Sequence, residues 1–385
     1  MMSLKAYKAI DLFQWIKSND QDYFLLDVRS ESDFGRFKVE GPNPVRMKNV
    51  PYIDFSDEEE EESVAQVPRD KKIKVVCAKE GSARFVGEVL INHGFKDVAY
   101  LEGGIKTWGN LLVPMRVDQG TSDYQLYQFV RPAKASCSYG LIYKDEMMIF
   151  DPTKESDFYR SFASENGCRI VRTFETHLQA DYISGSPAIA RETGADLMAN
   201  ENDFNGAAFS YQAVQDLAVY HFSDGGAAVK VVHTPGHTPG STSYVIDDRY
   251  MISGDTVFLV SIGRPDLGGK VEEWSRHLFD TLGNKVGQMD PKLVVLPGHF
   301  MSWEEADADL IFQDTLDAIK EKNRTIFDIE SPDQFVQFIK ENMREQPEVY
   351  AKIRQVNAGR LDVDLDEQNI MDLGKNECAA SAAQK

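Results

Sequence analysis

The chain has 385 residues, 42% of them hydrophobic and 27% charged, which is typical of a globular protein with two or three domains. Its formal net charge of −20 repels phosphate backbones and anionic lipids, so nucleic acid and membranes are not expected as partners. No apolar run approaches the roughly 20 residues of a membrane span, and residues 1–10 lack the apolar core of a signal peptide. We therefore expect a cytoplasmic protein.

Predicted helices and strands alternate over residues 1–112. The elements are helices at 4–18 and 82–93, strands at 23–28, 71–76 and 98–101, and a helical turn around Trp108. Gly94 is placed to end the second helix, and the acidic run 57–62 is predicted to be a solvated loop. Such alternation predicts a parallel sheet with helices on both faces.

Cys77 follows the second predicted strand directly, in a short loop that opens a helix. Backbone N–H groups of such a loop and the positive end of the helix dipole stabilise an anion. A thiolate, or the persulfide it carries, is such an anion, and Lys79 and Arg84 would add positive charge nearby. We interpret Cys77 as a reactive thiol; the alternative is an inert buried cysteine at a strand end.

Three segments of this region resemble a rhodanese domain covering residues 1–112. They are Asp27-Val28-Arg29, the loop 77–83 and Leu101-Glu102-Gly103-Gly104-Ile105-Lys106-Thr107-Trp108. In that family the loop cysteine takes up a sulfane sulfur and passes it to a thiol, sulfite or cyanide, and Cys77 matches its position. The family's Gly-His-Ile-Pro-Gly segment is replaced here by Gly35–Asn43. The resemblance implies a sulfurtransferase.

Residues 113–121 contain Pro114 and Gly120 and are predicted to be a linker to a second domain at 122–300. Strands are predicted at 127–131, 139–143, 147–150, 169–174, 197–199, 227–232, 243–246, 250–252 and 293–296, with helices at 155–166, 183–193 and 272–282. This order predicts an αββα sandwich. Residues 301–385 are predicted to form a helical extension packed on that domain, with helices at 305–322, 332–344 and 347–357.

Three of these strands run into loops that carry metal-ligating side chains, namely His177, His237 and Asp255. Side chains at the carboxyl ends of strands converge above a sheet. Two imidazoles and one carboxylate are the ligands of non-haem Fe(II) oxygenases, and zinc accepts the same donors. The alternative is that each residue is a buried polar group satisfied by the backbone.

The segments 176–182, 235–238, 253–256, 263–266 and 297–299 resemble the metallo-β-lactamase fold in order and spacing. Gly263-Arg264-Pro265-Asp266 favours the persulfide dioxygenase branch over glyoxalase II. That resemblance implies one Fe(II) per chain, bound by His177, His237 and Asp255. The family's His-x-His-x-Asp-His signature is here His177-Leu-Gln-Ala-Asp-Tyr182. Dinuclear hydrolases need the two missing histidines, so a second complete metal site is not expected.

Asp181 and His299 would remain from the second site, either beside the substrate or in a structural role. Arg264 is predicted to bind a carboxylate of the thiol carrier; the alternative is a buried ion pair with Asp266 or another carboxylate. We interpret His233 as a core residue or a neighbour of the ligands.

The four cysteines are widely spaced and form no CxxC pair, so neither a disulfide framework nor a structural zinc knot is indicated. Cys137 and Cys168 are predicted to be small buried residues. Cys378 is predicted to be an exposed thiol that receives sulfur.

The sequence favours a mononuclear Fe(II) persulfide dioxygenase fused to a sulfurtransferase that uses Cys77. Its expected partners are O₂ and a small thiol persulfide of the glutathione, coenzyme A or bacillithiol type; a homo-oligomer stays open. One alternative is a zinc hydrolase of the glyoxalase II type. Another is a sulfurtransferase whose second domain is metal-poor and serves as a binding module.

Overall fold

The computed structural model describes residues 4–56, 59–120 and 122–380. The chain divides into two compact units. The first contains Met1–Val113, Arg131–Lys134 and Leu373–Lys375, and the second contains Pro114–Val130, Ala135–Asp372 and Asn376–Lys385. Among the described residues, no helix combines the length and apolar character needed to span a bilayer.

The first unit is built on one sheet flanked by short helices. Its strands are β1 (Lys5–Tyr7), β2 (Tyr23–Asp27), β3 (Met47–Asn49), β4 (Lys72–Val76) and β5 (Val98–Leu101). Its helices are α1 (Ala9–Lys17), α2 (Glu31–Arg36), α3 (Glu60–Ala65), α4 (Glu80–Asn92) and α5 (Ile105–Gly109). The five strands are all parallel, in the order β1-β5-β4-β2-β3. β4 is therefore central, and its carboxyl end leads into Cys77.

Two predictions for this unit were wrong in detail. The first residues of the predicted helix 4–18 form β1, because Lys5–Tyr7 pair with Ala99–Leu101 of β5. The acidic run 57–62 was predicted to be a loop, but residues 60–62 begin α3, while Asp57 and Glu58 lie outside the described residues. In the first case hydrogen bonds to a strand far along the chain override local helical periodicity.

The second unit contains the remaining strands and helices. The strands are β6 (Val113–Arg116), β7 (Gln125–Arg131), β8 (Ser136–Tyr143), β9 (Glu146–Phe150), β10 (Arg169–Phe174), β11 (Asp196–Ala199), β12 (Gln212–Ala213), β13 (Val219–Phe222), β14 (Gly225–His233), β15 (Thr242–Ile246), β16 (Tyr250–Gly254), β17 (Val294–Pro297) and β18 (Asp314–Thr315). The helices are α6 (Ser156–Glu165), α7 (Ser186–Thr193), α8 (Glu201–Phe204), α9 (Val271–Asp280), α10 (Leu316–Lys322), α11 (Arg324–Phe327), α12 (Pro332–Glu341), α13 (Val349–Asn357) and α14 (Leu365–Met371).

These strands form two sheets that face each other. One has the order β12-β11-β10-β9-β8-β7-β6, and the other has the order β13-β14-β15-β16-β17-β18. The rings of Phe150 and Phe174 in the first sheet lie 5.4 and 5.0 Å from the ring of Tyr244 in the second. Helices α6 and α7 contact β10, and α10 contacts β18. The prediction of a parallel-sheet domain followed by an αββα sandwich is confirmed.

Two segments of this unit differ from the predictions. Val113–Arg116 of the predicted linker 113–121 forms the edge strand β6, and Thr121 lies outside the described residues. Only Leu316–Lys322 of the predicted helix 305–322 is α-helical, because Asp314 and Thr315 pair with β17 as β18. The Thr315 side chain then accepts a hydrogen bond from the amide of Ala318 and caps α10.

Candidate metal centre and sulfur-transfer loop

His177, His237 and Asp255, here called the first cluster, come together at the strand ends of the second unit. They follow β10, β14 and β16 by a few residues, and each is at most 2% exposed. Their ligand atoms all lie within 4.8 Å of one another. Asp255 Oδ2 is 3.8 Å from His177 Nε2 and 3.6 Å from His237 Nε2. Atoms at this spacing can share an ion that lies about 2 Å from each of them.

A hydrogen bond orients the ring of His237 so that its Nε2 is available to bind a metal ion. Its Nδ1 donates to the carbonyl oxygen of Arg264 over 2.9 Å, which places the proton on Nδ1 and leaves the lone pair on Nε2. Burial lowers the pKa of His237 to about 4, so the ring stays neutral at physiological pH.

His177 is oriented through a chain of two hydrogen bonds. The hydroxyl of Thr176 donates to Asp151 Oδ2 over 2.8 Å, so its oxygen is left to accept from His177 Nδ1 over 2.9 Å. The lone pair of His177 Nε2 therefore also faces Asp255. Burial lowers the pKa of His177, which keeps this ring neutral as well.

The first cluster fits a divalent cation. The Nε2 atoms of His177 and His237 and both carboxylate oxygens of Asp255 are buried and form no hydrogen bond within the described part of the chain. Native proteins seldom leave so many buried polar atoms without a partner. Burial raises the pKa of Asp255 to about 7, and a bound cation would restore the charged carboxylate.

Two glycines make room for Asp255. A Cβ on Gly263 would overlap the carbonyl oxygen of Asp255 and lie 2.9 Å from His237 Nδ1. A Cβ on Gly298 would lie 2.5 Å from Asp255 Oδ1. Both positions therefore exclude a side chain for steric reasons, which gives the glycines of the 263–266 and 297–299 segments a physical role.

Two residues that hold the site loops, Asp203 and Asn357, lie outside every sequence motif. The carboxylate of Asp203 accepts from the amide of Leu178 over 2.9 Å and from the hydroxyl of Thr238 over 2.6 Å, and so links the loops of both ligand histidines. The amide group of Asn357 donates to the carbonyl oxygens of Gln179 and Tyr182 over 2.9 and 2.8 Å. Both contacts depend on tertiary structure, since Asp203 and Asn357 lie outside every motif.

Asp181 and His299 lie next to the first cluster. Both are at most 1% exposed, and His299 Nε2 is 3.4 Å from Asp181 Oδ2 and 3.5 Å from Asp255 Oδ2. On the other side of the ring, His299 Nδ1 donates to the carbonyl oxygen of Ala135 over 3.3 Å. Burial alone would lower the pKa of His299, but the carboxylates of Asp255 and Asp181 raise it to about 9.

Cys378 is fully buried beside these two residues, so the prediction of an exposed thiol was wrong. Its Sγ, a carboxylate oxygen of Asp181 and a ring nitrogen of His299 all lie within 4.8 Å of one another. We call Asp181, His299 and Cys378 the second cluster. Cys137 is buried, as predicted, whereas Cys168 is partly exposed, so the prediction of a buried residue was wrong for Cys168.

Gln179, Tyr182 and His233 belong to neither cluster. Gln179 Nε2 lies 3.5 Å from His177 Nδ1, and the hydroxyl of Tyr182 donates to the carbonyl oxygen of Asp151 over 3.4 Å. His233 is the last residue of β14. Gln179 and Tyr182, which replace the motif histidines, thus lie beside His177 and the backbone of Asp151.

Arg264 forms a buried ion pair, the alternative considered for it. Its Nε and Nη2 donate to Oδ1 and Oδ2 of Asp266, both over 2.7 Å, and both side chains are 3% exposed. Arg264 also donates to the carbonyl oxygens of Arg344 and Glu377. The Arg264 guanidinium therefore donates its hydrogen bonds to Asp266 and to backbone carbonyls of the second unit.

In the first unit, Cys77 lies where β4 ends and α4 is about to begin. It is 3% exposed, and burial raises the pKa of its thiol, while the amides of Lys79 and Ala78 act in the opposite direction. The amide of Ile105 donates to the carbonyl oxygen of Cys77 over 2.8 Å. A Cβ on Gly104 would lie 2.7 Å from the carbonyl oxygen of Ala78, so the loop needs a glycine there.

Lys79 and Arg84, the basic residues near Cys77, are both exposed. Lys79 is exposed at the N-cap of α4. Arg84 Nη1 lies 3.8 Å from Glu80 Oε1, and its guanidinium is 5.6 Å from the ring centre of Tyr100. Helix α4 begins at Glu80, two residues before the predicted start at residue 82.

Two family models match the chain. The rhodanese-like domain matches residues 11–111, and the metallo-beta-lactamase superfamily matches residues 134–318. The probable metallo-hydrolase YqgX of Bacillus subtilis (strain 168) is 28% identical over 187 residues, which cover 44% of this chain and 87% of that protein. A hydroxyacylglutathione hydrolase of Anaeromyxobacter dehalogenans (strain 2CP-C) is 30% identical over 170 residues, covering 44% of this chain and 63% of that protein.

Solved structures also resemble the chain over part of its length. A metallo-beta-lactamase from Staphylococcus aureus subsp. aureus COL has a TM-score of 0.55 at 26% identity, covering 62% of this chain and 73% of that one. ETHE1 from Myxococcus xanthus has a TM-score of 0.53 at 21% identity, covering 61% and 99%, a likeness of fold alone. Residues 11–111 are therefore similar to a rhodanese-like domain, residues 134–318 are similar to the metallo-beta-lactamase superfamily, and the second unit holds a candidate metal site.

Proposed function

We propose that the second unit is a mononuclear Fe(II) persulfide dioxygenase and that Cys77 of the first unit transfers sulfane sulfur. The observation that carries the proposal is the first cluster, in which His177 and His237 direct neutral Nε2 atoms toward Asp255. Two imidazoles and one carboxylate form the ligand set of non-haem Fe(II) oxygenases. Ligation by these three residues would leave several positions of a six-coordinate ion for other ligands.

The overall reaction is the oxidation of a low-molecular-weight persulfide. R–S–SH, O₂ and water give R–SH, sulfite and two protons; the S–S bond breaks, and the persulfide loses four electrons to O₂. Iron, when bound, supplies the reaction of O₂ with sulfur that side chains cannot perform. The protein holds the imidazoles in one tautomer through Thr176 and the carbonyl of Arg264, and it buries the site away from bulk water.

Cys77 would act on the same pool of sulfur. Its thiolate takes the outer sulfur of a persulfide and releases the free thiol, which breaks one S–S bond and forms another. Sulfite then takes that sulfur from the Cys77 persulfide to give thiosulfate, and the cysteine regains its thiol. The fusion is chemically coherent because sulfite, the product of one unit, is a sulfur acceptor for the other.

The test is persulfide-dependent O₂ uptake by protein loaded anaerobically with Fe(II). In Cys77→Ser protein, where sulfur transfer no longer consumes persulfide and sulfite, we expect one O₂ consumed and one sulfite formed per persulfide, with loss of both when His237→Ala is added. His221→Ala is the matched control, because His221 is exposed and belongs to neither cluster. No uptake at full iron occupancy would refute the dioxygenase.

A zinc-dependent thioester hydrolase is the second candidate. It is favoured by the 30% identity to a hydroxyacylglutathione hydrolase over 170 residues. This candidate requires hydrolysis of a glutathione thioester under strictly anaerobic conditions by the zinc-loaded protein. Oxygen dependence of turnover therefore separates the two chemistries. A protein that retains no metal at all would instead support the third candidate, a sulfurtransferase with a binding module.

A further inference from the structure

Residues 376–380, here called the closing segment, lie against the loop that orients His237. The amide of Arg264 donates to the carbonyl oxygen of Cys378 over 2.8 Å, within a short antiparallel bridge. The carbonyl oxygen of the same Arg264 accepts from His237 Nδ1 over 2.9 Å. A single residue therefore connects the closing segment to a candidate metal ligand.

Side chains of the second unit also hold the closing segment. The hydroxyl of Tyr350 accepts from the amide of Glu377 over 2.9 Å, and Arg344 donates to the carbonyl oxygen of Ala379 over 3.0 Å. The guanidinium of Arg264 donates to the carbonyl oxygen of Glu377 over 3.4 Å. The closing segment has no helix of its own, and such segments open at a small part of the total free energy of unfolding.

The closing segment fills the space beside the first cluster. Cys378 and Ala379 share a buried apolar cluster with Ala180, which lies in the loop that carries His177. Cys378 is completely buried, and its thiol is close enough to the carboxyl group of Asp255 to interact with it. Because the three residues of the first cluster are at most 2% exposed, a substrate reaches them only after this covering moves.

Building on the proposed function, we propose that the closing segment competes with the substrate for the first cluster and that an external peptide thiol of the glutathione class displaces it. Cys378 is itself a thiol between peptide bonds. It stands between an acidic residue, Glu377, and a small one, Ala379, which is the order of acidic, cysteine and small residues in glutathione.

The hydrogen bonds of the closing segment favour a peptide as its competitor. Displacement frees the amide of Arg264 and the hydroxyl of Tyr350, both of which contact backbone groups of the segment. The peptide groups of an incoming thiol can replace those bonds, as an added strand does at a sheet edge. A thiol attached to a nucleotide or a sugar does not offer a matching run of backbone donors and acceptors.

The test measures alkylation of Cys378 by iodoacetamide in full-length Cys77→Ser protein, loaded with Fe(II) without oxygen. Mass spectrometry of the Cys378 peptide gives the rate. S-methylglutathione, a peptide thioether without a thiol, should accelerate the reaction at least about tenfold at saturation, because a ligand that binds only the open form increases its population. The rate at the partly exposed Cys168 should not change.

Three results of this measurement would overturn the proposal. One is an unchanged rate at Cys378 with S-methylglutathione. Another is equal acceleration by S-methylcysteine, which lacks the flanking peptide groups, or by S-methyl coenzyme A. The third is a rate in the absence of ligand that already equals the rate in urea-unfolded protein, since the closing segment would then not be closed.

Tyr350→Phe provides a second measurement that leaves the first cluster unchanged. It removes the oxygen that accepts from the amide of Glu377 but keeps the ring, so the closing segment should open more often. We expect alkylation of Cys378 to become about threefold to tenfold faster. Tyr211→Phe is the control, because Tyr211 packs on another cluster of the second unit. Equal rates in the two variants would contradict the proposal.

Both measurements are made without oxygen and without turnover. Displacement of the closing segment in a protein that takes up no O₂ would therefore support the competition and refute the proposed function. Persulfide-dependent O₂ uptake by a protein whose Cys378 does not respond to S-methylglutathione would do the opposite.

Discussion

Thr176 Oγ1 lies 2.9 Å from Nδ1 of His177 and connects that ring to the carboxylate of Asp151. The hydroxyl can serve both neighbours at once, because it donates to the carboxylate and accepts from the imidazole. Through this one side chain, the buried carboxylate of Asp151 sets the tautomer of a candidate metal ligand.

Replacing Thr176 with valine should therefore weaken metal binding without changing side-chain volume much. Contacts of this kind are worth about 10–100-fold in metal affinity, and we expect a loss in that range. Competition with a chelator measures the affinity, and Thr325→Val on the exposed face of α11 is the control. Unchanged affinity in Thr176→Val would show that the ring is oriented by other contacts.

Gly263→Ala tests the close packing around Asp255. The added Cβ would overlap the carbonyl oxygen of Asp255, so the loop must shift. We expect a loss of about 1–3 kcal/mol in the free energy of unfolding, together with weaker metal binding. Denaturant titration measures the first quantity. Gly283→Ala is the matched control because nothing lies within 4 Å of its added Cβ; equal effects at both positions would contradict the steric argument.

Arg264→Met removes one partner of the buried pair with Asp266. An uncompensated carboxylate that is 3% exposed would remain, so we expect a loss of about 3–5 kcal/mol in the free energy of unfolding. The double variant Arg264→Met/Asp266→Leu should recover part of that loss, because it buries no unpaired charge. If the single and double variants unfold at the same denaturant concentration, the unpaired Asp266 carboxylate is not the cause of the lost stability.

The reactivity of Cys77 should rise with pH. Burial holds the pKa of its thiol above the ordinary value, so the thiolate is a small fraction at neutral pH. Below the pKa, that fraction and hence the alkylation rate should grow about tenfold per pH unit between about pH 6 and 8. Mass spectrometry of the Cys77 peptide after iodoacetamide pulses gives the rate. A rate that is constant over this range would indicate a thiolate already formed.

The first cluster was predictable because its signals are local. His177 and Asp255 each follow a run of apolar, β-branched residues that forms a strand, and β10 and β5 begin and end at the predicted residues. Such ends meet at one edge of a sheet whatever the details of packing. The spacing of polar residues after strands was therefore sufficient to predict that these side chains lie close together.

Cys378 and β1 were not predictable because their positions depend on distant partners. Cys378 lies in a polar stretch without periodicity, and hydrogen bonds to distant parts of the chain, among them those of Cys378 with Arg264 and of Ala380 with Ile262, carry it inward. Lys5–Tyr7 likewise pair with β5, although their local pattern continues that of α1. In both cases backbone pairing across the fold decides the conformation, and a single sequence does not display it.

The order of the two clusters along the chain has a consequence for biosynthesis. His177, His237 and Asp255 leave the ribosome well before Cys378, which follows α14. A nascent chain can therefore assemble the first cluster while the second still lacks its sulfur donor. Docking of residues 376–380 is therefore a late step of folding, because a polypeptide interrupted before Cys378 would leave His299 and Asp181 without the third residue of the second cluster.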